Sequence, residues 1–320
     1  MGNVPHLRFP EFTEEWKETK LGKIAEITKG SGISKDRLSE YGSPCILYGE
    51  LYTKYKSEII NEVYSRTELD SSLLVKSKAN DVIIPCSGET AIDISTARCV
   101  PFNNILLGGD LNIIRLKNND GGFFAYQLNG TRKKDIARVA QGVSVVHLYG
   151  ENLKHIRVYH PAIEEQKKIT RLLSLIDKRI ATQNKIIYKL KSLIRGIMVE
   201  LQKRGLSNGT WKKVLLSNVL TERNELNKSL YPVYSVSVIQ GIVNQMEYLG
   251  RSFAASDTSK YHVVHYGDLV YTKSPTGSFP YGIIKQSYNQ NEVAVSPLYG
   301  VYEPKTFSTG VFLHEYFKSE

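Results

Sequence analysis

A heptad repeat of apolar residues constrains this chain more than any other feature of its sequence. Within Pro161–Arg204 the apolar positions recur at alternating steps of four and three, which is typical of a helix with a coiled-coil seam. Pro161 is tolerated in a first helical turn, and Glu164 and Glu165 suit a helix N-terminus. Gly205 is typical of the position that follows a helix, so it predicts the end of this one. The seam comprises Ile169, Leu173, Ile176, Ile180, Gln183, Ile187, Leu190, Ile194, Ile197 and Leu201.

The predicted helix is both long and basic. At 1.5 Å per residue it would span roughly 65 Å, far more than an average globular helix. Residues 161–204 carry 11 Lys/Arg against 4 Asp/Glu, which is most of the chain's net charge of +10. Such an excess points to a polyanionic partner, nucleic acid first. The alternative is a coiled-coil spacer whose basic side chains are merely solvated.

Length and composition predict a protein of two or more domains, since the chain has 320 residues. No apolar run is long enough to span a bilayer, and the first ten residues lack an apolar signal core. We therefore expect a cytoplasmic protein. Cys45, Cys86 and Cys99 show no Cys-x-x-Cys spacing, so they predict neither a zinc site nor a disulfide framework.

The segments on either side of the helix are strand-rich and similar to each other. Four pairs of segments match in the same order: 16–17 with 211–212, 44–47 with 232–235, 81–84 with 268–271, and 123–126 with 312–315. Matches in one order suggest an internal duplication. We predict a first domain at 1–160, the helix at 161–204, a linker at 205–210 and a second, incomplete domain at 211–320. Within the first domain, the alternation from Trp16 to Ile27 predicts one strand.

The sequence carries no recognisable catalytic signature. Phosphate-binding loops, dinucleotide fingerprints, nucleophile elbows and the Asn/Asp-Pro-Pro-Tyr motif of amino-methyltransferases do not occur in it. His262 and His265 would lie on opposite faces of a strand, which disfavours a shared metal. We expect no catalytic or metal site in this chain. A stand-alone nuclease or methyltransferase with an unrecognised site stays an alternative, as does a purely structural coiled-coil protein.

The start of the helix resembles the central repeat of a known family. It reads Pro161-Ala162-Ile163-Glu164-Glu165-Gln166-Lys167-Lys168-Ile169 and continues through Leu172-Leu173-Ser174-Leu175-Ile176-Asp177. This is similar to the pattern P-x-x-E-Q-x-x-I-x-x-x-L-x-x-x-D with one extra Glu. The family's first residues are matched by 7–12, and its Trp-Lys-x-x-x-Leu domain opening is matched at Trp16 and Trp211. On these residues the chain resembles the specificity subunits of type I restriction-modification systems.

The resemblance implies an α+β fold, in which a long coiled-coil spacer helix joins two strand-rich target-recognition domains. Each domain would read one half of a bipartite double-stranded DNA sequence. The helix would set the spacer between the halves and dock methyltransferase subunits, and restriction subunits would complete the complex. The chain itself would be non-catalytic and without a cofactor, since S-adenosylmethionine, ATP and magnesium are expected in the partner subunits.

One departure from the family concerns the second, antiparallel helix, which normally follows the second domain and has no match in residues 211–320. Burial of the nine aliphatic seam residues would contribute ~1.5–3 kcal/mol each, which favours a covered stripe. We therefore expect the seam to pair with a helix from a second copy, in antiparallel self-association, or from the remainder of the protein.

Loops that follow the short apolar runs are the candidates for DNA contact. Base reading needs hydrogen-bonding side chains that enter a groove, whereas phosphate contacts need Lys and Arg. The candidates of the first domain are Lys29, Ser31, Lys35, Tyr48, Glu50, Ser87, Glu89, Thr90, Gln141 and Ser144, with Arg132, Lys133, Lys134 and Arg138 as phosphate contacts. Those of the second domain are Lys273, Ser274 and Thr276. For any single residue, the alternative is a solvated loop position.

Overall fold

Two units of helices and strands share one long helix. The structure is a computed structural model and describes residue 5 and residues 7–142, 144–251, 254–275 and 279–318. Unit 1 is Met1–Asn184, and unit 2 is Lys185–Glu320. The α+β class predicted from the sequence is confirmed. No helix among the described residues is both long and apolar enough to cross a membrane.

Unit 1 is built on two main sheets. Its strands are β1 (Lys17–Lys20), β2 (Ala25–Lys29), β3 (Ser43–Ile46), β4 (Ser65–Thr67), β5 (Asp81–Pro85), β6 (Ser87–Gly88), β7 (Arg98–Val100), β8 (Leu106–Leu107), β9 (Leu111–Leu116), β10 (Val146–His147) and β11 (Arg157–His160). One sheet has the order β2-β9-β5-β7 and is antiparallel, and the other has the order β4-β3-β8. Two ribbons, β1-β11 and β6-β10, complete the unit.

The core of unit 1 lies on both faces of the four-stranded sheet. Its helices are α1 (Leu21–Ile24), α2 (Glu50–Thr53), α3 (Ala91–Ile94), α4 (Gly121–Asn129), α5 (Lys133–Val139) and α6 (Gly150–Lys154). Because side chains alternate along a strand, Val82 and Ile84 of β5 face a cluster with the α4 residues Phe123 and Phe124. Ile83 faces the opposite cluster, which includes residues of β3 and β8.

One predicted strand is interrupted in the structure. A helical turn, α1, separates β1 from β2 within the alternation from Trp16 to Ile27. Leu21 is fully buried, and its N–H donates to the Ile156 carbonyl at 2.9 Å. The turn thus redirects the chain from the β1-β11 ribbon into the main sheet, a long-range contact that an alternating pattern cannot reveal.

Unit 2 repeats the strand order of unit 1. It contains β12 (Leu220–Glu222), β13 (Val233–Ser237), β14 (Gly241–Asn244), β15 (His262–Val264), β16 (Leu269–Tyr271), β17 (Ile284–Gln286), β18 (Val293–Val295) and β19 (Gly300–Pro304), with helices α8 (Gln245–Leu249) and α9 (Phe307–Tyr316). Its sheets have the orders β12-β19-β16-β17 and β14-β13-β18-β15. β13 pairs antiparallel with β14 and parallel with β18, as β3 pairs with β4 and β8.

Aromatic packing repeats between the units as well. The rings of Trp16 and Phe123 meet edge-on with centroids 5.5 Å apart, and those of Trp211 and Phe312 do so at 5.3 Å. Each contact joins the start of a domain to the helix that follows its main sheet, α4 or α9. Together with the strand order, this confirms the internal duplication predicted from the sequence.

The cores of the two units differ where α5 and α6 pack in unit 1. A cavity of about 830 Å³ in unit 2 is lined by Leu216, Leu269 and Phe317 among others. The duplication aligns these with Leu21, Val82 and Leu128, which share a cluster with Ile136 of α5 and Leu153 of α6. The described residues of unit 2 include no counterpart of α5 or α6.

The long helix, α7, spans Ile163–Ser207 and has Glu164 and Glu165 in its first turn. It continues through Gly205, which the sequence had suggested as its end. A side chain at Gly205 would clash with the Trp211 ring, and the Trp211 N–H donates to the Gly205 carbonyl at 2.9 Å. Gly205 therefore allows a close approach, and Gly209, whose φ is +71°, is the glycine that follows the helix.

Candidate nucleic-acid interface

Three loops of unit 1 converge at one end of its sheets. Lys29 is opposite Asn112 at the end of β2, Pro85 is opposite Leu111 at the end of β5, and the parallel strands β3 and β8 end together. The Gly30 N–H donates to the Leu111 carbonyl at 3.0 Å, which joins the residue after β2 to the start of β9. The loops that follow β2, β3 and β5 therefore lie side by side.

A fourth loop reaches the same end from the segment before α7. Ser87 and Gly88 of β6 pair antiparallel with Val146 and His147 of β10. Gln141 forms a bridge with His147 through two backbone hydrogen bonds of 2.9 and 2.7 Å. This places the predicted residues Gln141 and Ser144 beside the loop of Ser87. We call residues 29–35, 47–50, 86–90 and 141–149 the loop face; Val143 lies outside the described residues.

The loop face presents most of the predicted DNA-contact side chains to solvent. Ser31, Tyr48 and Ser87 are partly exposed, and the exposed residues are Lys29, Lys35, Glu89, Thr90, Gln141 and Ser144. Several of these offer hydrogen-bond donors or acceptors, which groove recognition requires. A cavity of about 690 Å³ adjoins the face between the loops at 32–35, 47–54 and 108–110.

Glu50 departs from its predicted role as an exposed loop residue. It is 5% exposed, and its carboxylate accepts hydrogen bonds from the Leu47 N–H at 2.9 Å, Lys54 Nζ at 2.6 Å and Ser65 Oγ. These donors hold the loop onto the β4 strand. The carboxylate is therefore committed inside unit 1 and has no free acceptor directed to a base.

Two further candidates support the backbone of the loop face. Thr90 caps the N-terminus of α3, since its Oγ1 accepts from the Asp93 N–H at 3.1 Å. Ser31 Oγ accepts from the Val75 N–H at 2.8 Å. Both hydroxyl groups already serve local structure, which leaves Ser87 and Glu89 as the less committed candidates in this part of the loop face.

Three aromatic residues of this region were not singled out from the sequence. Burial, with smaller contributions from Tyr48, Asp93 and Glu89, raises the pKa of Tyr52, which lies beneath the loops. The rings of His147 and Tyr149 are stacked with centroids 6.2 Å apart and are exposed. Their i, i+2 spacing in an extended segment could have indicated that they share a face. They add stacking surfaces with polar tips to the loop face.

Most of the basic segment 131–138 lies in α5. This helix packs against α3, which places it beside the loop face. Arg132 and Arg138 both pair with Asp135, at 3.1 and 3.0 Å, and Lys133 Nζ donates to Thr96 Oγ1 at 3.3 Å. Lys134 is exposed and has no hydrogen bond or ion pair within the described part of the chain. It is therefore the phosphate candidate with the least competition from its own protein.

The corresponding loop of unit 2 follows β16. Lys273 is exposed and has a left-handed backbone with φ of +57°. Its Cε lies 2.9 Å from the position of a Cβ on Gly300, the first residue of β19. Ser274 Oγ donates to the Thr272 carbonyl at 3.3 Å. Thr276, the third predicted residue of this loop, lies outside the described residues.

The start of α7 is fastened to unit 1 by polar side chains. Glu165 is 1% exposed and binds Arg8 in a bidentate pair, with contacts of 2.8 and 2.7 Å. Gln166, also 1% exposed, accepts from the Asp120 N–H at 2.9 Å. Farther along, Asp177 Oδ2 accepts from the Tyr126 hydroxyl at 2.6 Å. The first part of the helix is thus held in register with unit 1.

The predicted seam divides into a packed and an exposed part. Ile169 packs against the core of unit 1, and Leu173 is partly buried. Gln183 is exposed, and the remaining seam residues are 43–54% exposed: Ile176, Ile180, Ile187, Leu190, Ile194, Ile197 and Leu201. Leu172, Ile186 and Leu193, each one position before a seam residue, widen this surface. We call these ten exposed apolar residues the apolar stripe.

The loop face and the start of α7 lie in a region that matches a known protein family. Residues 13–192 match the model of the type I restriction modification DNA specificity domain. The chain belongs to this family. The match covers the loop face, the basic helix α5 and the fastened start of α7. Within this region Glu165 and Gln166 are buried, whereas the neighbouring Glu164 is exposed.

Individual relatives agree with the family match. The chain is 24% identical to the MjaVIII specificity subunit of a type I restriction enzyme from Methanocaldococcus jannaschii over 62% of this chain and 44% of that protein. It spans about half the length of the curated relatives it matches. Its fold is similar to a crystal structure of the S subunit of a type I restriction-modification system from M. genitalium, with a TM-score of 0.53 and 16% identity, covering 99% of this chain and 81% of that one.

Proposed function

We propose that this chain is a DNA-recognition subunit of a type I restriction-modification complex and that unit 1 reads one half of a bipartite site. The observation that carries the proposal is the convergence of four polar loops at one end of unit 1, inside the region matched by the specificity-domain family. Unit 2 repeats the strand order, and its loop at Lys273 and Ser274 is the equivalent candidate for the other half-site.

The role proposed for α7 is to set the spacer between the half-sites and to dock the methyltransferase subunits. Its start is fixed to unit 1 by Glu165, Gln166 and Asp177, which suits a spacer of defined length. The apolar stripe supplies the docking surface, since contiguous exposed apolar area marks interaction sites. A second copy of the chain, paired antiparallel through the stripe, is the alternative occupant.

We assign no chemistry to the chain itself. The proposed complex would take S-adenosylmethionine, ATP and magnesium in its methyltransferase and restriction subunits. Among the described residues, no three His, Cys, Asp or Glu side chains are grouped as metal ligands. The contribution of this chain is then selection of the DNA sequence, through base contacts on the loop face and phosphate contacts on α5.

Co-expression with the methyltransferase subunit tests this proposal. We expect the two proteins to co-purify and to methylate adenine at a bipartite sequence with a fixed spacer, which single-molecule sequencing of host DNA would map. Methylation at one continuous short sequence would contradict bipartite reading. Nuclease or methyltransferase activity from the purified chain alone would contradict the non-catalytic role.

A further inference from the structure

Unit 2 contains a small polar cavity beside the edge of its main sheet. The cavity has a volume of about 330 Å³ and lies between β17, α9 and the turn that joins β13 to β14. Its lining includes Gln240, Lys285, Tyr288, Asn289, His314 and Lys318. None of these residues belongs to the loops proposed to contact bases. The cavity therefore needs an explanation of its own.

Two side chains of the cavity have unused hydrogen-bonding groups. His314 is 7% exposed, and neither of its ring nitrogens has a hydrogen-bond partner within the described residues. The Nδ2 of Asn289 is likewise buried and without a partner there. Glu315 is too distant to bind the ring, since its Oε1 is 4.0 Å from His314 Nδ1 and accepts from Lys318 Nζ. Buried polar groups normally have partners, so the cavity is suited to a polar occupant.

The cavity is also positively charged. Lys285 is 7% exposed, and its Nζ has no hydrogen-bond acceptor in the described part of the chain. Burial lowers the pKa of Lys285, and Lys318 and Lys191 lower it further, whereas the carboxylate of Glu315 opposes them. Lys318 Nζ is paired with the Glu315 carboxylate at 2.6 Å. Lys285 has no such partner within the described residues, so its charge is the one left uncompensated at the cavity.

The duplicated domain shows how the same position is satisfied in unit 1. Arg98 is opposite Ile83 and Lys285 is opposite Val270, so the duplication makes Arg98 and Lys285 equivalent. Arg98 donates to the carbonyls of Leu51 at 3.1 Å and Tyr55 at 2.8 Å, and Glu58 lies 3.7 Å away. Unit 1 thus surrounds its buried cation with acceptors.

The position next to this cation also differs between the units. Ala125 of α4 is fully buried and corresponds to His314 of α9. Unit 1 thus has a small apolar side chain where unit 2 has an imidazole with two free nitrogens. At this position the core of unit 1 is closed and its cation is hydrogen-bonded, whereas unit 2 has an open cavity lined by cations and hydrogen-bond donors.

We propose that this cavity is an anion site that takes a phosphate group, bound by Lys285 and Lys318 with His314 and Asn289 as hydrogen-bond donors. Charge-assisted hydrogen bonds to phosphate would satisfy both the buried cation and the orphaned donors. The phosphate could belong to the DNA backbone or to a free phosphate compound. The backbone source rests on the proposed function, whereas the site itself does not.

The test follows the His314 ring by NMR while inorganic phosphate is added to the purified chain at constant ionic strength. Burial and the two neighbouring lysines lower the pKa of His314 to about 4, with Glu315 opposing them, so the ring is neutral at pH 7. A bound anion offsets the lysine charges, and we expect a saturable shift of the ring signal and a higher pKa. Lys285→Met should weaken phosphate binding about tenfold or more.

Two controls make the result specific. His314→Ala, which restores the residue type of unit 1, identifies the ring signal and should fold normally. Lys305→Met removes an exposed lysine of unit 2 away from the cavity and should leave phosphate binding unchanged. The proposal is overturned if chloride shifts the ring signal as phosphate does, which would indicate a non-specific anion effect, or if Lys285→Met and Lys305→Met have the same effect on phosphate binding.

A duplex arm distinguishes the two sources of the phosphate. If the DNA backbone occupies the cavity, duplex DNA competes with inorganic phosphate for the site, and the phosphate-induced shift of the His314 signal is reduced. Lys285→Met then lowers the slope of log affinity against log salt by about one. If duplex DNA leaves the signal unchanged while inorganic phosphate shifts it, the site takes a free phosphate compound. Failure of the DNA arm alone would therefore leave the anion site standing.

Discussion

Hydrogen-bond commitments separate the side chains of the loop face that can meet a base from those that cannot. Glu50 and Glu89 are both acidic residues of the loop face, yet their surroundings are opposite. Glu50 is buried among three donors, whereas Glu89 is exposed and has no hydrogen bond or ion pair within the described residues. A carboxylate with free lone pairs can accept from the amino group of cytosine in the major groove. Glu89 is therefore the acidic residue expected to select bases.

We predict that Glu89→Ala changes the preferred half-site of unit 1. Loss of one base contact should reduce discrimination at that base pair by about 1–3 kcal/mol, with little effect on other positions. Methylation mapping with the assembled complex would measure this change. Glu68→Ala is the matched control, since Glu68 is exposed just after β4, at the opposite end of the β3-β4 pair. An equal loss on all sequences would argue that Glu89 does not read a base.

Among the elements, α7 shows most clearly how a local pattern becomes a tertiary anchor. Glu164 and Glu165 are neighbours in the same helical turn, but Glu164 is exposed whereas Glu165 is buried, and Arg8 and Trp16 bind its carboxylate. Removal of one member of a buried ion pair leaves the other member uncompensated. The two glutamates therefore form a natural pair for testing how the helix is held.

Glu165→Gln should lower the free energy of unfolding of unit 1 by about 3 kcal/mol, because it leaves Arg8 without its charged partner. Glu164→Gln, in contrast, should change it by less than about 0.5 kcal/mol, as expected of an exposed position. Urea denaturation of both variants measures the difference. Equal stabilities would show that Arg8 finds another partner in the absence of the Glu165 charge.

The apolar stripe belongs to the same helix and gives a prediction about assembly. A double substitution, Ile187→Lys with Ile194→Lys, should scarcely affect the stability of the chain, because both side chains are already 43–48% exposed. It should abolish co-purification with the methyltransferase subunit, or self-association, whichever covers the stripe. Tyr188→Lys, at a 67% exposed position off the stripe, is the control. Unchanged assembly of the double variant would exclude the stripe as a docking surface.

The elements that follow from local pattern were predictable, and those that depend on distant contacts were not. A heptad repeat is a local property, so the helix and its seam could be predicted over more than forty residues. The role of Gly205 depends on Trp211, and the burial of Glu50 depends on Ser65, and neither contact has a sequence signal. Each loop of the loop face was identifiable, but their convergence required the strand order.

At the scale of the whole molecule, the duplication gave two units with unequal cores. Unit 1 has apolar clusters on both faces of its main sheet, with α5 and α6 completing one of them. The equivalent region of unit 2 is a cavity of about 830 Å³. Since burial of apolar surface is the main stabilising contribution, unit 2 should be the less stable unit.

We therefore predict two thermal transitions in calorimetry, with unit 2 unfolding first. Ile83 and Val270 are equivalent, fully buried positions and allow the transitions to be assigned. Ile83→Ala should reduce the free energy of unfolding of unit 1 by about 2–5 kcal/mol and so shift the upper transition to lower temperature. Val270→Ala should reduce that of unit 2 by about 2 kcal/mol and shift the lower transition. A single transition that responds to both variants would show instead that the units unfold together.

The apolar stripe also bears on how much of this chain a cell can accumulate. A copy made in excess of whatever covers its helix would expose a row of aliphatic side chains to solvent. Such surfaces are recognised by chaperones and proteases and promote aggregation, so unassembled copies would be removed. The supply of the covering helix would then fix the steady-state level of this chain, and gene dosage alone would not raise it.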